Sequence, residues 1–224
     1  MANRQDHIIV FILSTLIFLT GIFAGLTLSR GKISDIENQI QNFEDNINSM
    51  ELSVLLSDAL KNDDISCKFL HGKLNETREL LTELGATAVE YEEESRIKEE
   101  AYKNVKKQYN FARAEYWLML EKLKKQCNNN YTTILFFYGT EQPCPDCRDQ
   151  GVILTHLSSL NPNYYVIPVD FDEELLIIDM IKEAYQLNQT PTLVIDASIV
   201  KTGIISREEI INITQQAQAS QPTP

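Results

Sequence analysis

The stretch "EQPCPDCRDQG", residues 141–151, holds Cys144 and Cys147, two of the four cysteines in a chain of 224 residues. It stands at a change of texture. Before it, "TTILFFYG" (132–139) is a short β-branched and aromatic run that reads as a buried strand. After it, Val152, Ile153, Leu157 and Leu160 recur at helical spacing. Cys144 therefore falls where a strand and a short loop give way to a helix. There the unpaired N–H groups of the first turn, and the helix dipole, would stabilise a thiolate. Pro145 costs the helix nothing, because its missing N–H would have had no helical partner. Cys147 lies one turn along, close enough to close a disulfide. The spacing makes Cys144 an accessible nucleophile and Cys147 a resolving thiol.

Toward the C-terminus, "YYVIPVDF" (164–171) reads as a second strand and "EELLIIDMIKEAYQL" (173–187) as a second helix. "TLVID" (192–196) and "SIVKTG" (198–203) are two more strands joined by the turn Asp196-Ala197-Ser198. Ser206-x-x-Glu209 caps a last helix through Ile213, and the polar tail "QQAQASQPTP" (215–224) reads as disordered. The order βαβαββα implies a small mixed sheet with helices on its faces. In "QTPTLVI" (189–195), Pro191 comes 44 residues after Cys147 and directly precedes a strand, where proline is unusual. A cis Thr190–Pro191 bond would bring that backbone against the disulfide.

With the Cys-Pro-Asp-Cys helix start and the Thr-Pro strand both in place, residues 131 to about 214 resemble the thioredoxin fold, over less than half the chain. The resemblance implies that Cys144 attacks, Cys147 resolves, and Pro191 is a cis-proline that docks an extended substrate, with Thr190 adding backbone contacts. It implies no dissociable cofactor, cysteine-containing protein substrates, and a redox partner that recycles the pair. The chain also departs from the family. The first strand and helix of full-length thioredoxins are missing, and Trp-Cys-Gly-Pro-Cys reads Pro-Cys-Pro-Asp-Cys at 143–147. No acidic residue stands on the strand where thioredoxin buries its proton-handling aspartate; Glu141 and Asp146 are the nearby carboxylates. A zinc site is the competing reading of a CxxC, but no second pair exists and His156 reads as a helix-surface residue. A structural staple and a redox-inactive binding module are the other two.

Residues 33–127 contain no proline and two glycines. Ile33, Ile36, Ile40, Phe43, Ile47, Met50 and Val54 form a heptad stripe. After a break at Asn62-Asp63-Asp64, Cys67, Leu70, Leu74, Thr77, Leu81 and Leu84 form a second. Gly85 is expected to end that helix, and Thr87-x-x-Glu90 to cap a third whose apolar face is Tyr102, Val105, Tyr109, Ala112, Tyr116, Met119 and Leu123. A helical stalk packing on itself, or a coiled coil that makes a homodimer, would bury these stripes. "YEEESRIKEE" (91–100) reads as a solvated face.

Cys67 and Cys127 both fall on apolar stripes. They are either two small buried hydrophobes or a structural disulfide. A turn at Gly85 between straight helices would put Cys67 about 27 Å and Cys127 about 63 Å from it, at roughly 1.5 Å per residue. An intrachain bridge then needs a broken helix or a partner chain.

At the N-terminus, Ile8 to Leu28 is a run of 21 residues without a charge, about the length that spans a bilayer. It exceeds the apolar core of a signal peptide, and no clean small-x-small cleavage site precedes Ser29. It reads as a single membrane anchor, with Gly21 and Gly25 as a GxxxG pair. Arg4 on one flank and Arg30 with Lys32 on the other slightly favour the large domain inside the cell, a rule that weakens when a long domain follows. The resemblance to anchored proteins that work outside the cytoplasm outweighs it. Sequons at Asn75, Asn130, Asn188 and Asn212 suit an extracytoplasmic side. The net charge of −12 and the lack of a Lys/Arg run argue against nucleic acid.

The expected organisation is an anchor (1–30), a helical stalk or hairpin (31–128), an α/β thioredoxin-like domain (129–216) and a disordered tail (217–224). The expected activity is disulfide exchange with protein substrates through Cys144 and Cys147, at a cell membrane. A redox-inactive scaffold acting through its stalk is the rival.

Overall fold

A computed structural model of the chain describes residues 11, 13–23, 52, 55–56, 63–93, 99–140 and 144–219. The chain divides into two compact units, Met1–Ile47 and Asn48–Pro224. In the first, residues 13–23 are helical (α1), and their side chains are exposed. Among the described residues, no helix is long and apolar enough to cross a membrane. The rest of the 8–28 stretch, and the whole stripe from Ile33 to Val54, lie outside the described residues.

The second unit contains, in order, α2 (Asp63–Glu93), α3 (Glu99–Cys127), β1 (Thr132–Tyr138), α4 (Pro145–Leu160), β2 (Tyr164–Asp170), α5 (Leu176–Ala184), β3 (Thr192–Ile195), β4 (Ile199–Thr202) and α6 (Arg207–Ala219). The order βαβαββα is present from β1 onward. The sheet runs β2-β1-β3-β4. β1 is parallel to β2, in register from Thr132↔Tyr164 to Tyr138↔Asp170, and antiparallel to β3, which pairs antiparallel with β4. β2 is an edge strand, where a proline such as Pro168 takes no donor from the sheet's centre.

β1 is the hydrophobic axis. Because side chains alternate along a strand, Leu135 and Phe137 enter one core with Ile167, Val169 and Ile178. Ile134 and Phe136 enter the other with Leu154, Leu157, Ile210 and Cys147. A run of consecutive apolar residues is what a strand buried on both faces needs.

The first core also contains Leu70 and Leu74 of α2 and Tyr116, Met119, Leu120 and Leu123 of α3. This moves the domain boundary expected at residues 128 and 129. The helical hairpin and the sheet share one apolar interior within one compact unit. The hairpin is a layer of the domain.

Gly85 does not end α2, which continues to Glu93. The Thr87 hydroxyl donates to Glu83 O at 3.0 Å, an i−4 bond inside the helix and not a cap. Gly85 serves packing. A Cβ there would lie 2.8 Å from the Tyr109 hydroxyl oxygen of α3. Moving from Gly85 back to Cys67 on α2, and from Tyr109 forward to Cys127 on α3, covers 18 residues each way, which makes the pair antiparallel and in register.

The apolar face expected for α3 is present: Val105, Ala112, Tyr116, Met119 and Leu123 are buried. A second stripe was not expected. Lys106, Asn110, Arg113, Trp117, Glu121 and Lys124 recur at spacings of four and three, and each meets the sheet side. Lys106 meets Asp170 and Lys124 meets Asp196, both at 2.6 Å. Asn110 bonds Glu173, Arg113 bonds Tyr138, Glu121 accepts from the Thr133 hydroxyl, and Trp117 meets Tyr185 edge-on. α3 therefore buries an apolar face and a polar one.

At the C-terminus, Ser206 Oγ accepts from Glu209 N at 3.2 Å, as expected for a cap. The helix continues past Ile213 to Ala219, so residues 217–219 belong to it and not to a disordered tail. Thr214, buried under the Tyr164 hydroxyl at 2.8 Å, anchors the extension.

Candidate active site

Cys144 is the N-cap of α4, and Pro145 follows at its first position. Cys147 N donates to Cys144 O at 3.1 Å, closing the first turn. The two cysteines are bonded to each other, with Cα atoms 5.2 Å apart. Their environments differ. Cys147 is 8% exposed inside the core under α4, whereas Cys144 is half-buried at its edge. Cys144 is the more exposed residue of the pair.

The Thr190–Pro191 peptide bond is cis. The Thr190 hydroxyl points at Cys144 Sγ, 3.7 Å away. Pro191 is buried, its carbonyl accepting from Gly203 N at 2.8 Å at the start of the β3–β4 layer. All four residues named for this site, Cys144, Cys147, Thr190 and Pro191, thus meet at the C-terminal end of β1. Gly139 belongs there too, since a Cβ at that position would lie 2.9 Å from Thr190 Oγ1.

The support beneath the site was not read from the sequence. Asp170, at the end of β2, is fully buried. It accepts from the Thr140 hydroxyl at 3.0 and 2.9 Å and from Asp172 N at 3.0 Å. Asp172 in turn accepts from Thr140 N at 2.5 Å. Lys106 of α3 neutralises Asp170. Burial works against the Lys106 charge, but the Asp170 bond and the Asp170 and Glu173 carboxylates outweigh it, and the pKa rises. Tyr138, pushed up by burial, stands among Arg113, Asp170 and Lys106 and packs against the core that holds Cys147. On α4, fully buried Gln150 accepts from Ile205 N at 2.7 Å and fastens the segment before α6. An acidic residue closing an apolar strand was a visible signal for Asp170. Lys106, 64 residues away in a helix read as stalk, carried none.

Asp146 is exposed in the first turn of α4, His156 is exposed on the same helix, and Glu141 lies outside the described residues. No group of three or more His, Cys, Asp or Glu is placed to hold a metal among the described residues.

Cys67 and Cys127 are bonded across the hairpin, with Cα atoms 5.7 Å apart. The distance argument against this bridge assumed a turn at Gly85. Because α2 runs to Glu93 and α3 starts at Glu99, both cysteines sit about 30 residues from the connection. Two unbroken helices bring them level.

No protein-family profile and no curated protein matches the chain. Among solved structures it is similar to a malaria-parasite thioredoxin-2, a component of the protein secretion machinery, at 17% identity and a TM-score of 0.33, over 39% of this chain and 84% of that one. It is also similar to chloroplastic thioredoxin z, at 20% identity and a TM-score of 0.35, over 45% of this chain and 90% of that one. Both likenesses cover less than half of this chain.

Proposed function

We propose that the chain is a thiol–disulfide oxidoreductase acting on protein cysteines through Cys144 and Cys147. One observation carries the reading: a bonded cysteine pair stands at a helix start, with Cys144 at the N-cap less buried than Cys147 and the Thr190 hydroxyl facing its sulfur. In the oxidised protein, a substrate thiolate attacks Cys144 Sγ. The Cys144–Cys147 bond breaks, Cys147 leaves as a thiolate, and a mixed disulfide forms. A second substrate thiol, once deprotonated, attacks the substrate sulfur of that mixed disulfide and releases Cys144. Two electrons and two protons pass from substrate to protein. Run backwards, the Cys144 thiolate attacks a substrate disulfide and Cys147 resolves it. The helix N-terminus favours the thiolate in either direction.

The proposal extends to a tether through residues 8–28 on an extracytoplasmic face. The charge-free run supports this. So does a second disulfide remote from the first, since such bonds persist in oxidising compartments.

The test is glutathione equilibration of the full chain in detergent, with peptide mapping to read each cysteine pair separately. A reversible Cys144–Cys147 couple near roughly −120 to −180 mV indicates a disulfide donor or isomerase, and one near about −270 mV a reductase. If no reversible couple exists, the enzyme reading fails and a scaffold takes its place.

A further inference from the structure

We propose that Lys106 and Asp170 are a positioning pair for the redox couple: they tie helix α3 to the loop that delivers Cys144, and their charge balance sets how much of Cys144 is thiolate. The inference deepens the redox reading and rests on it.

The geometry is a continuous chain of short contacts. Lys106 Nζ meets Asp170 Oδ2 at 2.6 Å, and the carboxylate it neutralises is fully buried. Both oxygens of that carboxylate accept from the Thr140 hydroxyl, and Thr140 N is held by Asp172. Thr140 is therefore fixed at side chain and backbone by the segment after β2. Its neighbour Gly139 is confined by Thr190, whose hydroxyl also reaches Cys144 Sγ. Three residues separate Thr140 from Cys144. Thr140, just after β1, and Cys144, at the start of α4, are thus each held by contacts from the segments after β2 and before β3.

Among the described residues several charges stand around the pair, including Lys182, which donates to Phe171 O at 3.1 Å. α3 contributes Lys106 and, two turns on, Arg113, which bonds Tyr138. The segment after β2 contributes Asp172 and Glu173, the latter 4.0 Å from Lys106 Nζ. β1 contributes Tyr138, which packs against the core holding Cys147. α4, Cys144's own helix, contributes Asp146 in its first turn, followed by Arg148 and Asp149, all exposed. Without Lys106, Asp170 is an unpaired buried anion under the loop, and it opposes a second anion at Cys144. Without the Asp170 charge, Lys106 keeps only the more distant Glu173 carboxylate at 4.0 Å, and the added positive charge favours the thiolate. A role confined to holding the loop would give shifts of one sign.

The test uses the full chain in detergent, reduced, with the alkylation rate of Cys144 followed against pH by peptide mapping. Lys106→Met raises the thiol pKa and lowers the thiolate fraction at neutral pH by about threefold to tenfold, the size of effect expected of one unpaired charge in partly buried surroundings. Asp170→Asn shifts the pKa the other way. The double variant and Lys106→Arg lie close to the parent. If Lys106→Met does not fold, Asp170→Asn and the double variant carry the comparison. Unchanged titration in Asp170→Asn, or shifts of one sign in both single variants, overturns the proposal. The glutathione equilibrium of the parent separates the two ideas: a parent with no reversible couple sinks the redox reading, whereas a normal couple with unmoved variants sinks only the pairing.

Discussion

The two disulfides of this chain are built for opposite ends. Cys67–Cys127 closes a loop of 60 residues at the open end of an antiparallel helical hairpin, where both cysteines are half-buried. Cys144–Cys147 spans three residues at a helix start and leaves Cys144 the more exposed of the two. Loop length and position divide the roles. A long closed loop removes much entropy from the unfolded chain, about 4 kcal/mol by the chain-entropy relation, and a loop of three or four residues under half of that. Cys144, at the N-cap of α4, gains reactivity that Cys127, the last residue of α3, does not. On the proposed function, the first bond is a clasp and the second a reagent.

Breaking each bond in turn gives the largest expected contrast. Cys144→Ser with Cys147→Ser abolishes exchange on a disulfide-containing peptide and lowers stability little. Cys67→Ser with Cys127→Ser leaves exchange in place and removes on the order of 4 kcal/mol from the unfolding free energy in urea. If removing the clasp abolished exchange in a chain that stays folded, the division of roles would be wrong.

The comparison sharpens at Glu121, which lies on α3 between the clasp and the sheet. It is buried and bonded to Thr133. Burial is the main cause that raises its pKa from 4.5; Asp196 adds to it, and Thr133, Lys124 and Lys125 work against it. For a carboxyl with a raised folded pKa, the stabilising contribution is present below the unfolded value and is lost as pH rises through the folded one. Urea midpoints of the parent should therefore fall relative to Glu121→Gln as pH climbs from about 4.5 toward neutrality. All probes, in hairpin and sheet alike, should move together, because the two share one core. A parent that gains on the variant over that range would refute the assignment, and separate transitions would split the unit.

Why one disulfide was readable and the other was not follows from where the information sits. The Cys-Pro-Asp-Cys segment, its flanking strand and the Thr190-Pro191 step are local signals, and local signals survive in sequence. The clasp depends on the hairpin's register, which depends on where the helix ends. Gly85 has the look of a helix terminator, but it is there because Tyr109 crosses that position. The second stripe of α3 was opaque for a related reason. Lys106, Asn110, Arg113, Glu121 and Lys124 are what a solvated face looks like, and only the partners on β1, β2 and the two turns make it an interface. Asp170, an acid closing an apolar strand, carried a signal of its own, but its pairing with Lys106 did not.

Gly85 also supplies a smaller test of the clasp. Gly85→Ala gains about 1 kcal/mol of helix propensity but forces a Cβ against the Tyr109 oxygen, with overpacking of about 1–3 kcal/mol. The net expectation is a loss of about 1 kcal/mol. In a Tyr109→Phe background the oxygen is gone and the same change should be neutral or stabilising. A loss of equal size in both backgrounds would mean that Gly85 is not there for this crossing.

The smallest effect is expected at Thr190, and it separates the reagent from the clasp most finely. Its hydroxyl faces Cys144 Sγ at 3.7 Å in the disulfide form, a weak contact with a sulfur that carries no charge. Reduction turns that sulfur into a thiolate, and the same donor then makes a charge-assisted bond. Thr190→Val keeps the shape and removes the donor. The exchange rate at neutral pH should fall by about twofold to fivefold, matching the roughly 0.5–1 kcal/mol of one modest hydrogen bond. Thr190→Ser should hold the parent rate. The reduction of Cys67–Cys127, which has no such donor to serve it from this segment, should be unmoved in both and acts as the internal control. A Val variant that matches the parent would confine Thr190 to shaping the loop against Gly139, leaving the helix N-terminus and the charge pair beneath it to activate Cys144.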